Sequence, residues 1–405
     1  MIKSFSESDL MSIINPLMQW VERIQMQSYD WWDLWATSFG GWAKSFYLKN
    51  KVLGIFVVGP ILLFDLLYPN FRKFFAEERA FPICHAQIGM GYLNLFEMTQ
   101  QEEYFIKAEA LVDPLIAMAS PQISGLGWGM KHNWMTAKGL IPKDTPCNTQ
   151  TAYPFEFFEQ LFNLTGRQKY LDYLERIAVH VANDFPEWYK GDRLICSYST
   201  IDSSGVVNAN SYRMLMLLRA GKLFNNQEYL QKGLSTLRYV LSMQKQNGSW
   251  PYAEEQLFVD NYHTCFIIKN LYKIKKIASV FASALEDSIV KGLNFFFSHL
   301  LYNNGYPLPF AVKPRMVIYQ YDSYDLAESI GLLAELNIEH ERMDRMLHFA
   351  RMNFQTKDGW FVFRRYPFVP MNGIPYMRYA NSAMFLALTK VLKLKSRSKV
   401  NDSEN

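Results

Sequence analysis

At 405 residues the chain can bury a large core, either as two domains or as one closed architecture. A net charge of +4 supplies no strong basic field, which argues against nucleic acid as the partner, and 16% aromatic content (10 Trp, 24 Tyr, 30 Phe) suits either a large helical core or a sugar- or lipid-lined cleft. Cys84, Cys147, Cys196 and Cys265 lie far apart with no CxxC pair, so they read as buried thiols of a reducing compartment and not as a disulfide framework.

In chain order, MIKSFSESDL lacks the apolar stretch and small-residue cleavage site of a secretory signal, which fits a cytoplasmic protein. Leu10 to Met26 has the pattern of an amphipathic helix. Ser28 to Trp42 (SYDWWDLWATSFGGW) is a knot of four Trp and two Asp. It either packs a cap on the main body or sets Tyr29, Asp30 and Asp33 at the rim of a site. Val52 to Leu67 is strongly apolar but falls short of the roughly 20 residues a spanning helix needs. Gly59-Pro60 predicts a buried helix pair bent there. The flanking Lys49, Lys51, Arg72 and Lys73 offer the alternative of a membrane-surface contact. Residues 1–80 therefore read as an N-terminal helical extension or cap.

A repeat begins after residue 80. Segments starting at His85, Asn148, Asn208, Asp260, Asp322 and Arg378 each open with small or polar residues and continue as an apolar helical pattern. The steps between starts are 63, 60, 52, 62 and 56 residues, room for two helices and their loops. Amphipathic second helices follow, such as QKYLDYLERIAVHVANDF and QEYLQKGLSTLRYVLSMQ. Most end at a Gly-aromatic turn: Gly127-Trp128, Gly248-Ser249-Trp250, Gly305-Tyr306 and Gly359-Trp360. The third unit departs, with Gly191 and then CSYS around Tyr198. A period near 60 matches none of the shorter helical solenoid repeats. Six such hairpins close into a ring, so the predicted fold is all-α: an α/α toroid over residues 81–395, with inner helices apolar nearly all round and a disordered tail at 396–405.

In such a ring the N-termini of the inner helices converge at one end. Two carboxylates there, Asp260 and Asp322 at equivalent repeat positions, form an acid/base pair if one is held protonated. Alternatively His263, Tyr198 or Tyr376 moves a proton beside a sugar carboxylate clamped by Arg378. The candidate substrate contacts are Trp128, His132, Asn208, Asn210, Trp250, Tyr252, Glu254, Asn261 and Arg365. Each Asp or Asn also reads as an ordinary helix cap. Cys84, His85, Cys196 and His263 have no metal-ligand spacing, so no metal and no cofactor is expected.

Lys232 to Trp250, with Gln244, Gly248 and Trp250, resembles the QW repeat of squalene and hopene cyclases, with a frayed copy at Gln355, Gly359 and Trp360. The acidic motifs of those enzymes do not occur, so the resemblance implies hairpins tied together and leaves a terpenoid or prenyl reaction as a third reading. Over residues 28–392, the order SYDWWD, GLGWG, YSTIDSS, VVNAN, QNGSWPY, VDNYHTCF and RRYPFVPMNGIPYMRYANSAMFLAL is similar to a family of polysaccharide-biosynthesis toroid proteins. These are distantly similar to the C-terminal domain of D-glucuronyl C5-epimerases and share the six-hairpin glycosidase-like architecture. The resemblance implies matching positions at Tyr198, Asn208, Asn210, Trp250, Asp260, Asn261, His263, Asp322, Tyr376, Met377 and Arg378. Where that pattern has a His in the fifth hairpin, this chain has Tyr324.

The expected function is a carbohydrate-active enzyme of polysaccharide biosynthesis or modification, working as epimerase, lyase or hydrolase on an oligo- or polysaccharide. The alternative is a non-catalytic glycan-binding or scaffold subunit. Contact with a membrane or a polysaccharide-synthesis complex is compatible with both.

Overall fold

The computed structural model describes residues 4–121, 123–136, 138–367 and 373–403. The chain opens with α1 (Glu7–Arg23), capped by a reciprocal Ser6–Asp9 box, then short α2 (Asp33–Ala36), α3 (Ser38–Lys49), α4 (Lys51–Leu67) and a 3-10 turn (Pro69–Phe74). Next come α5 (Pro82–Thr99), α6 (Glu102–Glu109), α7 (Val112–Ala117), strands β1 (Trp134–Thr136) and β2 (Gly139–Ile141), α8 (Asn148–Thr165) and α9 (Gln168–Asn183). Strands β3 (Glu187–Lys190) and β4 (Arg193–Cys196) precede α10 (Val207–Leu223) and α11 (Gln227–Ser242). The remainder is β5 (Val259–Asp260), α12 (Asn261–Ile274), α13 (Ala282–His299), β6 (Phe310–Val312), β7 (Tyr321–Asp322), α14 (Ser323–Leu336), α15 (His340–Asn353), β8 (Arg364–Arg365), a π turn (Met377–Asn381) and α16 (Ser382–Ser403).

Helices α5, α8, α10, α12, α14 and α16 pack each on the next, and α16 packs back on α5. This closed ring of six inner helices is the expected α/α toroid. Helices α6 and α7, α9, α11, α13 and α15 form the outer layer of the first five hairpins. The sixth outer helix is α1, which packs on α16 and buries Leu10, Ile13, Ile14, Leu17 and Trp20 in the ring's own core. The sequence boundary at residue 80 is thus not a boundary of the core. A ring closes only if its last inner helix also finds an outer partner, and here that partner precedes the repeat.

The Gly-aromatic turns interlock neighbouring hairpins. Gln244 Nε2 donates to the Gly248 carbonyl (3.0 Å) and to Ser288 of α13 (2.9 Å), while Trp250 Nε1 donates to Val240 (3.1 Å). One hairpin pair later, Gln355 Nε2 donates to Gly359 (3.1 Å) and to Ile13 of α1 (2.9 Å). Gly248 and Gly359 have φ of +88° and +93°, and a Cβ there would stand 2.1 Å from the Lys291 carbonyl and 2.3 Å from the Pro16 carbonyl. Gly248→Ala and Gly359→Ala are each expected to lower stability by about 2–4 kcal/mol in urea denaturation. Gly59→Ala, inside α4 with nothing within 4 Å, is expected to leave it unchanged or raise it slightly.

Three sequence expectations are corrected. Val52 to Leu67 is not a buried, bent pair: α4 runs unbroken through Gly59 and Pro60, and of its residues only Gly54, Asp65 and Leu66 are buried. The inner helices are not apolar all round. Their axis-facing positions carry ion pairs, Lys273–Glu156 (2.6 Å), Lys390–Glu335 (2.6 Å) and Lys269–Glu328, around a small polar cavity. Long side chains reach across the axis between the six helices, and each buried charge is tolerated there because it is paired. Lastly, α16 continues to Ser403 through most of the expected disordered tail, since KLKSRSKV holds neither Gly nor Pro. Residues 404–405 lie outside the described residues.

Candidate functional site

The inner-helix N-termini and the loops entering them form one polar, aromatic end of the ring. Asp260 and Asp322 are both helix caps, as the repeat implies. Asp260 accepts from the His263 amide (3.2 Å) and Asp322 from the Tyr324 amide (2.9 Å). Each also does more than cap. Asp260 Oδ2 lies 2.8 Å from His263 Nδ1, and Asp260 is buried while His263 is partly open. Strands β7 and β8 place Asp322 opposite Arg364, whose Nε donates to Asp322 Oδ2 (2.8 Å). Arg364 is in turn enclosed by the rings of Tyr319 (3.9 Å), Phe363 (4.3 Å) and Trp31 (4.8 Å).

A third carboxyl was not among the candidates. Asp325 lies one helical turn after Asp322 and so faces the same way, a spacing visible in DSYD. Burial first, and then the charges of Asp322 and Asp260, push its carboxyl well above the usual carboxylate range. Its Oδ1 has no hydrogen-bond partner among the described residues. Burial also raises Asp322, against the pull of Arg364.

Arg378 makes a fork-to-fork pair with Asp30 of the N-terminal segment, Nε to Oδ2 at 2.7 Å and Nη2 to Oδ1 at 2.8 Å. Against the effect of burial, this guanidinium holds the Asp30 carboxyl well below its ordinary value. The Trp-rich knot therefore packs on the body and sets the buried Asp30 against Arg378. His132 stacks against Trp32 (ring centroids 6.4 Å apart), and neither of its ring nitrogens has a partner among the described residues. Burial and then Arg378 push this imidazole down to about 3, so it is neutral near pH 7. Lys44 of α3, also absent from the candidates, holds its ammonium 3.9 Å over the Trp32 ring, and burial with Arg315 nearby lowers it to about 7.

Aromatic side chains link these groups into a circuit. Trp32 touches Trp134 (6.3 Å), Trp134 touches Tyr198 (5.3 Å), and Tyr198 shares a small apolar cluster with Tyr252. Tyr252 then meets His263 (5.0 Å), His263 meets Tyr262 (4.2 Å), Tyr262 meets Tyr324 (5.2 Å), and Tyr324 meets Tyr379 (5.8 Å). Trp32 Nε1 closes the circuit by donating to the Tyr379 hydroxyl (2.5 Å). Trp32, Trp134, Tyr252, Tyr262 and Tyr379 are half-buried.

Several candidates instead hold the scaffold. Trp128 is fully buried and donates to Leu115 (2.8 Å), and Trp250 seals the next hairpin against Gly292. Asn210 bonds both backbone groups of Cys196 (2.8 and 2.9 Å), and Asn261 donates to Leu300 (2.9 Å) and accepts from Ser329 (2.9 Å). Asn381, not a candidate, does the same with both backbone groups of Phe361 (2.6 and 3.2 Å). Asn210 and Asn381 thus latch the loops entering α10 and α16 to those helices, while Asn261 ties α12 to the end of α13. Asn208 is buried with Oδ1 unpartnered among the described residues. Tyr376 is fully buried behind Trp31 and Phe363, its ring facing Arg72. Tyr198 bonds Thr149 through its hydroxyl (2.9 Å) at the circuit's edge. Glu254 pairs with exposed Lys190 (3.1 Å) beside a side cavity of about 160 Å³, and Arg365 donates to the Asn353 carbonyl (2.7 Å). Among the described residues no group of three or more His, Cys, Asp or Glu is placed to hold a metal ion.

No protein-family model and no curated protein matches the sequence. The fold has many relatives among solved structures. A polysaccharide lyase aligns over 98% of this chain and 99% of its own at 9% identity and a TM-score of 0.59. The cellobiose 2-epimerase of Bacillus thermoamylovorans B4167 aligns over 77% and 88% at 11% identity and 0.57. An unsaturated glucuronyl hydrolase specific for heparin aligns over 79% and 86% at 11% identity and 0.56. At such identities the likeness is one of fold alone: this chain has an α/α toroid architecture.

Proposed function

We propose that this protein is a carbohydrate-active enzyme that moves a proton on a sugar ring of a polysaccharide or lipid-linked glycan. The observation that carries this is the Asp260–His263 pair set within a circuit of aromatic rings, beside Asp325, whose carboxyl burial pushes well above the usual carboxylate range. In this reading His263 Nε2 takes the proton. Asp260 orients the imidazole through Nδ1 and stabilises its charged form. Asp325 supplies a proton, and Trp32, Trp134, Tyr252 and Tyr262 stack on sugar faces. Asp322, Tyr198 and Tyr376 brace these groups. The toroid shared with an epimerase, a lyase and a glucuronyl hydrolase supports sugar as the substrate class.

Among the three reactions we favour proton abstraction at C5 of a uronic acid. Arg378 is already engaged by Asp30, so the sugar carboxylate is assigned to Lys44, whose charge becomes complete when an anion approaches. The test is incubation with a uronate-containing glycan in deuterated water. Deuterium at C5 of recovered sugar is the expected result. Chain cleavage with no exchange would move the assignment to hydrolysis.

A second reading, a non-catalytic glycan-binding or scaffold subunit, draws on the mutual neutralisation of Arg378 with Asp30 and Arg364 with Asp322. It predicts that Asp260→Ala weakens glycan retention in a protein that never shows turnover. We place the protein in the cytoplasm, beside a membrane-bound polysaccharide-synthesis complex.

A further inference from the structure

We infer that α3, α4 and the following 3-10 turn form a monotopic anchor that seats the protein on an anionic lipid bilayer. This deepens the membrane placement proposed above and is independent of the sugar chemistry.

Helix α4 carries one apolar stripe along its length. Val52, Leu53, Phe56, Leu63, Phe64 and Leu67 all fall within about a third of its circumference at 100° per residue. All are exposed, Val52 and Phe56 at 74%. The opposite face is the attached one: Gly54 lies against the Tyr47 backbone of α3, where a Cβ would come within 2.3 Å, and Asp65 is paired with Arg72 (2.6 Å). The neighbouring elements extend the patch through Phe39 and Trp42 on α3 and through Phe71 and Phe74 on the 3-10 turn. Exposed apolar side chains grouped in this way, with Phe64, Phe71 and Phe74 in ring contact, mark an interaction surface.

Charge decides the occupant. Between residues 34 and 76 the sole acidic residue is Asp65, which is buried and neutralised by Arg72. Lys49 and Lys51 are exposed at the α3–α4 junction, and Lys73 stands beside Phe74. An apolar stripe edged by lysines at the α3–α4 junction, with the exposed acids Glu77 and Glu78 only beyond the 3-10 turn, fits acyl chains under anionic headgroups. A symmetric second copy would set these lysines against themselves. Crossing the bilayer is not available: a 17-residue helix is about 25 Å long, and no helix among the described residues is long and apolar enough to span.

The anchor is fixed to the candidate site. Arg72 binds Asp65 of α4 and also the Asp30 carbonyl (2.6 Å), and Asp30 pairs with Arg378. Docking therefore ties the circuit of aromatic side chains to the membrane surface.

The test is co-sedimentation of the full chain with phosphatidylcholine vesicles, with and without phosphatidylglycerol. Binding is expected with phosphatidylglycerol and weaker without it. Val52→Asp/Phe56→Asp should weaken it by roughly tenfold or more, and Lys49→Glu/Lys51→Glu should remove the preference for the anionic lipid. Far-ultraviolet circular dichroism of each variant checks that the fold is kept. The inference is overturned if the wild-type chain stays in the supernatant with both vesicles. It is equally overturned if that chain is a dimer which Val52→Asp/Phe56→Asp converts to a monomer while neither form binds lipid. His263→Ala should bind vesicles like the wild type, so loss of the sugar chemistry and loss of docking are separate results.

Discussion

His263→Ala is expected to lower turnover on the responsive glycan by about a thousandfold, within the range for loss of a positioned general base, while the unfolding midpoint changes little. The imidazole is partly exposed and its ion partner among the described residues is Asp260, so truncation removes chemistry and few core contacts. Asp260→Asn should lose much of the same activity with the ring still present, because an amide neither fixes the imidazole tautomer nor stabilises its cation. It remains a competent helix cap, so stability should fall by well under the roughly 1 kcal/mol a lost cap costs. Asp325 gives this pair a signature in pH. Its carboxyl is raised by burial first and then by the charges of Asp322 and Asp260, so the proton-donating form is favoured and is lost as pH rises through that raised value. Turnover should therefore decline on the alkaline side. A profile flat to high pH would remove Asp325 as the acid.

The second large effect concerns stability. Asp30→Ala leaves the Arg378 guanidinium buried without its carboxylate, and the expected cost is about 3–5 kcal/mol in chemical denaturation. Arg378→Met should cost a similar amount for the converse reason. The double variant Asp30→Ala/Arg378→Met is expected to recover most of the loss, because removing both charges also removes their desolvation. Additive losses would show instead that Asp30 and Arg378 act through separate contacts. Since the pair joins the N-terminal segment to the ring, the same cycle measures how firmly the lobe carrying Trp32 and Lys44 is held over the site.

The candidate site was legible in part. Asp260, His263 and Asp322 were visible because the repeat aligns them at helix starts, and the structure brings them to one end. Asn210 and Asn261 shared that signal for another reason: Asn210 fastens the preceding loop and Asn261 ties its helix to the next outer helix, and cap, latch and catalyst draw on the same few residue types. Asp325 was legible from its spacing to Asp322 but looked like one more charge on a helix. Asp30 could be placed at a rim, yet nothing local pairs it with a residue 348 positions away.

The sequence alone determined the six-fold recurrence, the closed all-α ring and the end at which polar residues gather. These follow from helical periodicity and glycine stops, which are local properties of the chain. Only the tertiary structure decided that α1 completes the ring as its sixth outer helix, that paired charges fill the axis, and that α4 lies bare on the surface instead of in the core. An apolar helix reads the same whether it will face a core or a lipid. The difference lies in what packs on it, and that is set by contacts between residues far apart in the chain.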